Sequence, residues 1–399
     1  MQRHPRPLAP ALGLVATVAL LVTTSTTSAT IGRAQTQTGS SEIVIGMSAA
    51  LSGPSAALGR GMRVGVEAYL KRVNDNGGLQ GRRVRLVALD DSYQADPVEE
   101  NMRRLIDQEQ ALAVLGSVGT AGAQVAVPMA NASKVLLFGA FSGASVLRRQ
   151  PPDRYVINFR ASYAEETGVM VRGLLKRGIR PEEIAFFTQN DAYGDSGYEG
   201  AAEAIRALGY PPFAHTHGRY ERGTLDVEDA ILELVQAKVQ PRAIIMVGAY
   251  AATAKFIRLA RQLVPKAILL SVSFVGASAL TEALGADGEG VIITQVVPHW
   301  NSDLPGIAEY RQALRRFTPD APYDFISLEG YLVAKTFMEG ARRVRGRLTR
   351  ESIIDAIEGL GTLDIGIGRR LTLSPTRHQA SQDVWLTMIQ NGALVSFEW

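Results

Sequence analysis

The chain of 399 residues contains no cysteine. That absence excludes disulfides, a thiol nucleophile and a lipid-bearing cysteine behind a leader, so stability must come from core burial alone. A surplus of charge is also lacking, although the formal net charge of +3 and the pI near 9.1 point to one. Arg3, Arg6 and Arg33 account for the whole excess, and beyond them 39 basic residues face 39 acidic ones. No basic tract of five or more remains, which removes the support for a nucleic-acid or anionic-membrane partner. Histidine is scarce, and His215 and His217 lack the third clustered ligand that a metal site needs, while His299 and His378 stand alone. No serine occupies a G-x-S-x-G elbow, so hydrolase chemistry has no constellation to work with. No metal and no cofactor are expected, and the chain is not expected to be an enzyme.

What is present begins with Arg3 and Arg6, an uncharged apolar run from Leu8 to Val22, and then small and hydroxyl residues through Ala34. This is the pattern of a secretory signal peptide over residues 1–34, cleaved after Ala29 or Ala34. The competing reading, an uncleaved anchor, needs a longer and more strongly flanked run. A soluble periplasmic protein follows, with no lipid anchor. Its roughly 360 mature residues are too many for one core and suit two domains.

Residues 43–97 pack strand, loop, amphipathic helix, glycine turn and second strand into one βαβ unit. The apolar run from Ile43 reads as a strand buried on both faces, followed by Ser48, Ser52, Gly53 and Ser55 in the loop. Leu58, Met62, Val66, Tyr69 and Val73 recur at helical spacing, and Asn76, Gly77 and Gly78 end the helix before the strand Val84 to Leu89. Further on, Asp96, Pro97 and Glu99 read as a capping box. Strands are expected at 112–115, 135–138 and 155–159, then at 184–188, 213–217, 243–247, 268–272 and 290–294, with helices between. Pro128 is expected to kink or delay the helix that contains it. Helices at 304–316, 327–345 and 350–358 precede a C-terminal hairpin around Asn391-Gly392. Both halves read as α/β, doubly wound.

Gly59, Gly61 and Gly65 superficially resemble a dinucleotide loop, but they fall inside the first helix and are better explained by helix-to-sheet packing. Gly116, Gly119 and Gly122 follow a strand directly, yet no acidic residue stands where a ribose binder requires one. That argues against a secreted nicotinamide enzyme. Asp90 and Asp91 end a strand, where turn capping competes with contact to a metal or ligand amine. Tyr163, Tyr193 and Tyr250 all follow strand ends, where open α/β sheets bind ligands.

The phrases ALSGPSAALGRGMRVGVEAYLKRVNDNGGLQGRRVRLVALDD, LGSVGTAG, FSGASVLR, FRASYAEE and NDAYGDSGYEGAAEAI resemble, in order, periplasmic leucine/isoleucine/valine-type binding proteins of ABC importers. The resemblance implies two Rossmann-like lobes joined by a three-strand hinge, the Venus-flytrap form of a type I periplasmic binding protein. It places crossings near 159–163, 294–298 and 360–374. The first lobe would then hold residues 42–160 plus 296–360, and the second 161–295 plus 361–399. It also implies a monomer that clamps an amino acid or related carboxylate-bearing solute and delivers it to a membrane permease; the alternative is a sensor of aromatic or aliphatic acids that signals to a membrane receptor.

Carried over by position, Thr120 beside Gly119 matches the hydroxyl residue that meets a ligand carboxylate, and Phe141 matches a residue whose backbone helps hold the solute. Tyr193 matches an aromatic wall, Tyr250 falls close to another, and Ser52 and Leu58 face the ligand, Leu58 where the family often has an aromatic. Gly143 stands where amino-acid binders usually carry a hydroxyl, with Ser142 displaced by one. The usual acid for a ligand ammonium has no clear counterpart, Glu165 and Glu166 being nearest, so a carboxylate without an ammonium competes with a free amino acid.

Overall fold

The apolar strands anticipated from residue 43 onward assemble into two separate parallel sheets. The computed structural model describes residues 42–212 and 214–399, so the expected signal peptide lies outside the described residues. The first sheet contains β1 (Glu42–Ala49), β2 (Arg83–Asp90), β3 (Ala113–Leu115), β4 (Leu136–Phe138) and β5 (Val156–Ile157), in the order β2-β1-β3-β4-β5 and parallel throughout. The second contains β6 (Ile184–Gln189), β7 (His217–Tyr220), β8 (Ala243–Val247), β9 (Ile268–Ser271) and β10 (Ile292–Gln295). The pair β11 (Gly361–Asp364) and β12 (Arg370–Leu373) forms a separate hairpin. Strands β13 (Trp385–Gln390) and β14 (Ala393–Ser396) add antiparallel to the edge of the second sheet, giving β14-β13-β10-β9-β8-β6-β7. Their turn is the anticipated one, with Asn391 at φ 49° and Gly392 at φ 73°, the left-handed pair that a two-residue hairpin needs.

The helices that cover these sheets are α1 (Ala56–Asp75), α2 (Ala95–Arg103), α3 (Thr120–Ser133), α4 (Tyr163–Lys176), α5 (Ala192–Ala207), α6 (Glu228–Val235), α7 (Tyr250–Leu263), α8 (Ala277–Leu284), α9 (Pro305–Phe317), α10 (Phe325–Ala341) and α11 (Arg350–Glu358). In α1 the stripe Leu58, Met62, Val66, Tyr69 and Val73 is buried, as its spacing requires. The glycines on that helix do close packing, but mostly not against the sheet. A Cβ on Gly65 would lie 1.9 Å from the Ser327 carbonyl oxygen of α10, and one on Gly61 3.0 Å from the Ile326 side chain; only Gly59 meets the strand-end backbone, at Ala50. Thus α10, encoded more than 250 positions later, lies against α1. Arg350 at the start of α11 also donates to the carbonyls of Ala111 and Ser133, tying that helix to the first sheet's connections.

Four local expectations are corrected. Asp96 is not a cap: Gln94 precedes α2 with no side-chain cap, and Asp96 lies inside the first turn. Helix α3 runs unbroken through Pro128. Pro128 and Gln124, whose carbonyl the proline leaves without its helical donor, are both exposed, so water can serve the freed group. The strand expected at 213–217 is instead His217–Tyr220, and Phe213 is outside the described residues. The strand expected at 155–159 shrinks to Val156–Ile157. Asn158 and Phe159 leave the sheet to pair with a distant segment: Asn158 N–H donates to the His378 carbonyl at 2.7 Å, and Ser381 N–H to the Phe159 carbonyl at 3.0 Å.

Those bonds join two of the connections between the sheets. The chain passes from β5 to α4, from β10 to α9, and back from α11 through β11 and β12 to β13. Two doubly wound lobes linked by three connections are the result. In the first sheet the winding reverses between β1 and β3, and in the second between β6 and β8. Crevices open at such reversals, at the carboxyl ends of the strands.

Candidate functional site

The loops after β1 and β3 define the crevice of the first lobe. Thr120 is the first residue of α3, behind Gly119, whose φ of 104° is open to glycine. The Thr120 and Ser142 hydroxyls are 2.8 Å apart, both fully buried. Backbone bonds hold this arrangement: Gly119 N–H donates to the Phe141 carbonyl at 3.2 Å and Phe141 N–H to the Ser117 carbonyl at 2.8 Å. The first N–H groups of α3 have no helical acceptor, and the helix dipole places positive potential beside the two hydroxyls.

Asp90 and Asp91 serve the turn. Asp90 Oδ1 accepts from the N–H groups of Leu51, Ser52 and Ser92 at 2.8, 3.2 and 2.9 Å. Buried Asp91 accepts from the Ser48 hydroxyl at 2.7 Å and from Tyr93 N–H at 3.0 Å; burial pushes its carboxyl up to about 6 against those bonds. The Ser52 hydroxyl is likewise occupied, 2.8 Å from that of Ser92. Tyr93 is thereby presented toward the second lobe.

In the second lobe Asp191 caps α5, accepting from Tyr193 N–H at 3.0 Å, and Tyr193 is fully buried. Tyr250, the first residue of α7, is half-buried with Ala57 of α1 beside it. Leu58 also packs across, so close to Gly276 that a Cβ there would lie 2.7 Å from the Leu58 side chain. Gln189 donates to the Tyr93 hydroxyl at 3.4 Å. The lobes are therefore closed on each other.

At the centre of the closed cleft stands Phe274, in the loop after β9, which the sequence did not single out. Its ring centroid is 4.7 Å from Tyr193, 5.2 Å from Phe141, 6.1 Å from Tyr93 and 6.3 Å from Tyr163. Gly143 explains its own departure from the family pattern. A Cβ there would sit 2.6 Å from the Tyr163 backbone nitrogen, so a hydroxyl residue would displace the tyrosine. The Tyr163 hydroxyl faces that of Ser142 without a hydrogen bond of ordinary geometry.

Arg160, on the first connection, is the second residue that sequence reasoning passed over. Its guanidinium is wholly buried, lies 4.6 Å over the Phe141 ring, and donates through Nη2 to the Ser273 hydroxyl and to Glu166 Oε1 at 3.4 Å. Glu166 is saturated: it also accepts from Ser273 N–H at 2.8 Å and from the Thr294 hydroxyl at 2.5 Å. Arg160 Nε and Nη1 find no hydrogen-bond acceptor among the described residues, although Glu329 Oε1 of α10 lies 3.7 Å from Nε. A buried arginine beside phenylalanine and glutamate is invisible to pattern reading, because its partners come from helices on both lobes. Glu165 is spent on the cap of α4, where it accepts from Ser162 N–H at 2.6 Å, and on Gln379 at 2.7 Å.

His217 has a structural partner. His217 Nε2 is 2.7 Å from the Thr188 hydroxyl and its ring stacks on Tyr198, and burial holds it down at about 4. No group of three or more metal-ligating side chains occurs among the described residues.

Two doubly wound lobes closed over buried hydroxyls, aromatic rings and an underused guanidinium define a solute-clamping protein. A family model described as periplasmic binding protein matches residues 42–393, and the chain belongs to that family. It is 25% identical over 328 residues to Leu/Ile/Val-binding protein homolog 7 of Brucella abortus, covering 77% of this chain and 78% of that one. Among solved structures, a possible leucine/isoleucine/valine-binding protein from Rhodopirellula baltica matches with a TM-score of 0.87 at 46% identity, over 90% of this chain and 96% of that one. A substrate-binding periplasmic protein from Ralstonia solanacearum matches with a TM-score of 0.81 at 28% identity, over 89% and 100%. No helix among the described residues is long and apolar enough to cross a membrane.

Proposed function

We propose that this chain is the solute-capturing component of an ABC importer: it holds a small carboxylate-bearing solute between its lobes and delivers it to a membrane permease. The observation that carries the reading is the pair of buried hydroxyls, Thr120 and Ser142, at the N-terminus of α3 in the interlobe crevice. Orphan N–H groups and the helix dipole make an anion site there, and the hydroxyls add directional donors. Ser52, Leu58, Gly119, Phe141, Gly143, Tyr163, Tyr193 and Tyr250 complete the proposed lining. Closure is favoured by the solute only to the extent that it touches both lobes. The names of the Brucella and Rhodopirellula relatives support an amino acid or a related acid as cargo.

In this reading residues 1–34 are a cleaved signal peptide without lipidation, and the mature protein acts as a periplasmic monomer without catalysis. The first lobe takes residues 42–160 plus 296–360, and the second takes 161–295 plus 361–399. Mass spectrometry of solute released from freshly purified protein tests the reading. Adding the identified solute back at about a hundred times its dissociation constant should raise stability by about 2.7 kcal/mol. Release of no small molecule, with no stabilisation by any amino or carboxylic acid, would discard it.

A further inference from the structure

Closure brings one acid from each lobe to the same guanidinium, and only one of the two is supplied with donors. Glu166, on α4 of the second lobe, accepts from Ser273 N–H at 2.8 Å, from the Ser273 hydroxyl at 3.1 Å, from the Thr294 hydroxyl at 2.5 Å and from Arg160 Nη2 at 3.4 Å. Those bonds stabilise its charge. Glu329, on α10 of the first lobe, is also buried, but its Oε1 has no hydrogen bond, and Arg160 Nε at 3.7 Å is beyond hydrogen-bond reach. Arg148, the other cation that acts on Glu329, is spent on the carbonyls of Ser142, Ala144 and Arg160 and on Gln379. An ionised Glu329 therefore keeps the attraction of two cations, but it loses water, gains no donor at Oε1 and faces the like charge of Glu166. Burial is the largest of these effects and pushes the carboxyl up to about 7.

We propose that closing the lobes takes up a proton from bulk water on Glu329, so that acidic conditions favour the closed form. Opening withdraws α4 and the Ser273 loop from α10, which returns Glu329 to water and takes Glu166 away from it. The open form then keeps the ordinary carboxyl value of 4.5, and the closed form binds the proton more tightly. The advantage of closure is fully present below that ordinary value and is lost as pH rises through about 7. Burial pushes Asp91 and Asp324 up as well, but each is supplied with donors: Asp91 by Ser48 and Tyr93, Asp324 by Ser278 and Ile326. This adds a regulation to the proposed solute-capturing role, and it is tested on closure itself with no solute present. Its failure leaves the capture of a solute standing, which the solute released from native protein decides separately.

The lack of cysteine makes the distance between the lobes directly measurable. At the rim of the cleft a Cβ on Gly223, after β7, would lie 3.8 Å from Gln94 Nε2, before α2. Glu100 on α2 and Asp229 on α6 are exposed beside that rim. Nitroxides on Glu100→Cys and Asp229→Cys, read by pulsed dipolar EPR, then report the ratio of closed to open protein. The protein is first unfolded in guanidinium, stripped of carried solute and refolded. The ratio should be roughly tenfold or more larger at about pH 5 than at about pH 8. In Glu329→Gln, which cannot ionise, it should be the same at both. Glu329→Met carries the same expectation if the glutamine variant does not fold, because it strands no polar group. A parent ratio that is equal at the two pH values, or larger at the higher one, overturns the proposal. So does a pH response that persists unchanged in the variant, since another group would then carry the proton.

Discussion

Arg160 Nε and Glu329 Oε1 face each other at 3.7 Å with both side chains buried, one on the first connection between the lobes and the other in the second turn of α10. The glutamate Oε1 has no hydrogen bond, and burial pushes the carboxyl up to about 7 from its ordinary 4.5, with Arg160 opposing and Glu166 reinforcing. Removing one partner of a buried pair costs more than the pair contributes, because the remaining group is stranded.

The raised carboxyl has a definite sign in stability. Between pH 4.5 and 7 the folded protein keeps a proton on Glu329 that the unfolded chain has released. The stabilisation is fully present below the unfolded value and is lost as pH rises through the folded one. Glu329→Gln removes this dependence. Urea unfolding of parent and variant should therefore diverge in the variant's favour by on the order of 3 kcal/mol between about pH 5 and about pH 8. Parallel curves over that range would show that Glu329 does not hold the proton.

Thr120→Val keeps the shape at the start of α3 and deletes the hydroxyl. Solute affinity, read by titration with whatever solute the native protein releases, should fall roughly tenfold, the worth of one hydrogen bond to a charged group. Unchanged affinity would leave Thr120 with a structural bond to Ser142 and no role in binding.

Gly143 has no room for a side chain beside Tyr163, whose backbone N–H donates to the Gly143 carbonyl at 2.9 Å. Gly143→Ala should cost about 1–3 kcal/mol by forcing the tyrosine back. Stability and solute affinity should fall together in this variant. A loss of stability with affinity intact would separate the tyrosine from the site.

Pro128 lies on the exposed face of α3, and replacing it restores a donor for the exposed Gln124 carbonyl. Since that carbonyl lies on an exposed face open to water, Pro128→Ala should gain only about 1 kcal/mol, less than the full interior penalty of a proline. Urea unfolding with an unchanged denaturant slope would check it, and a loss of stability would mean that the proline packs usefully.

Much of the lobes was readable in the chain because their signals are local. The β1–α1–β2 unit announces itself through apolar periodicity and the glycine turn after Val73. The terminal hairpin does so through Asn391 and Gly392, the residue types that tolerate left-handed backbone. Tyr193 stood out because it follows a strand end, where reversal of the winding opens a crevice, whereas Thr120 stood out only through the resemblance of its loop to the family's. Phe274 was not, since one phenylalanine in an apolar stretch looks like core until four rings from both lobes surround it. Pro128 misled for a related reason: its cost depends on whether Gln124 faces water, which is a property of the packed helix.

The amino-acid sequence by itself determined the class of fold, the two-lobe organisation and the lack of a thiol, because composition and short-range periodicity act over a few residues at a time. Tertiary structure alone decided which charges share the cleft. Arg160, Glu166, Ser273, Thr294 and Glu329 are far apart along the chain, and the connections between the lobes bring them together in a place without water. Removal from water turns those residues into a partly satisfied cation with a near-neutral glutamate beside it, and no local pattern encodes that.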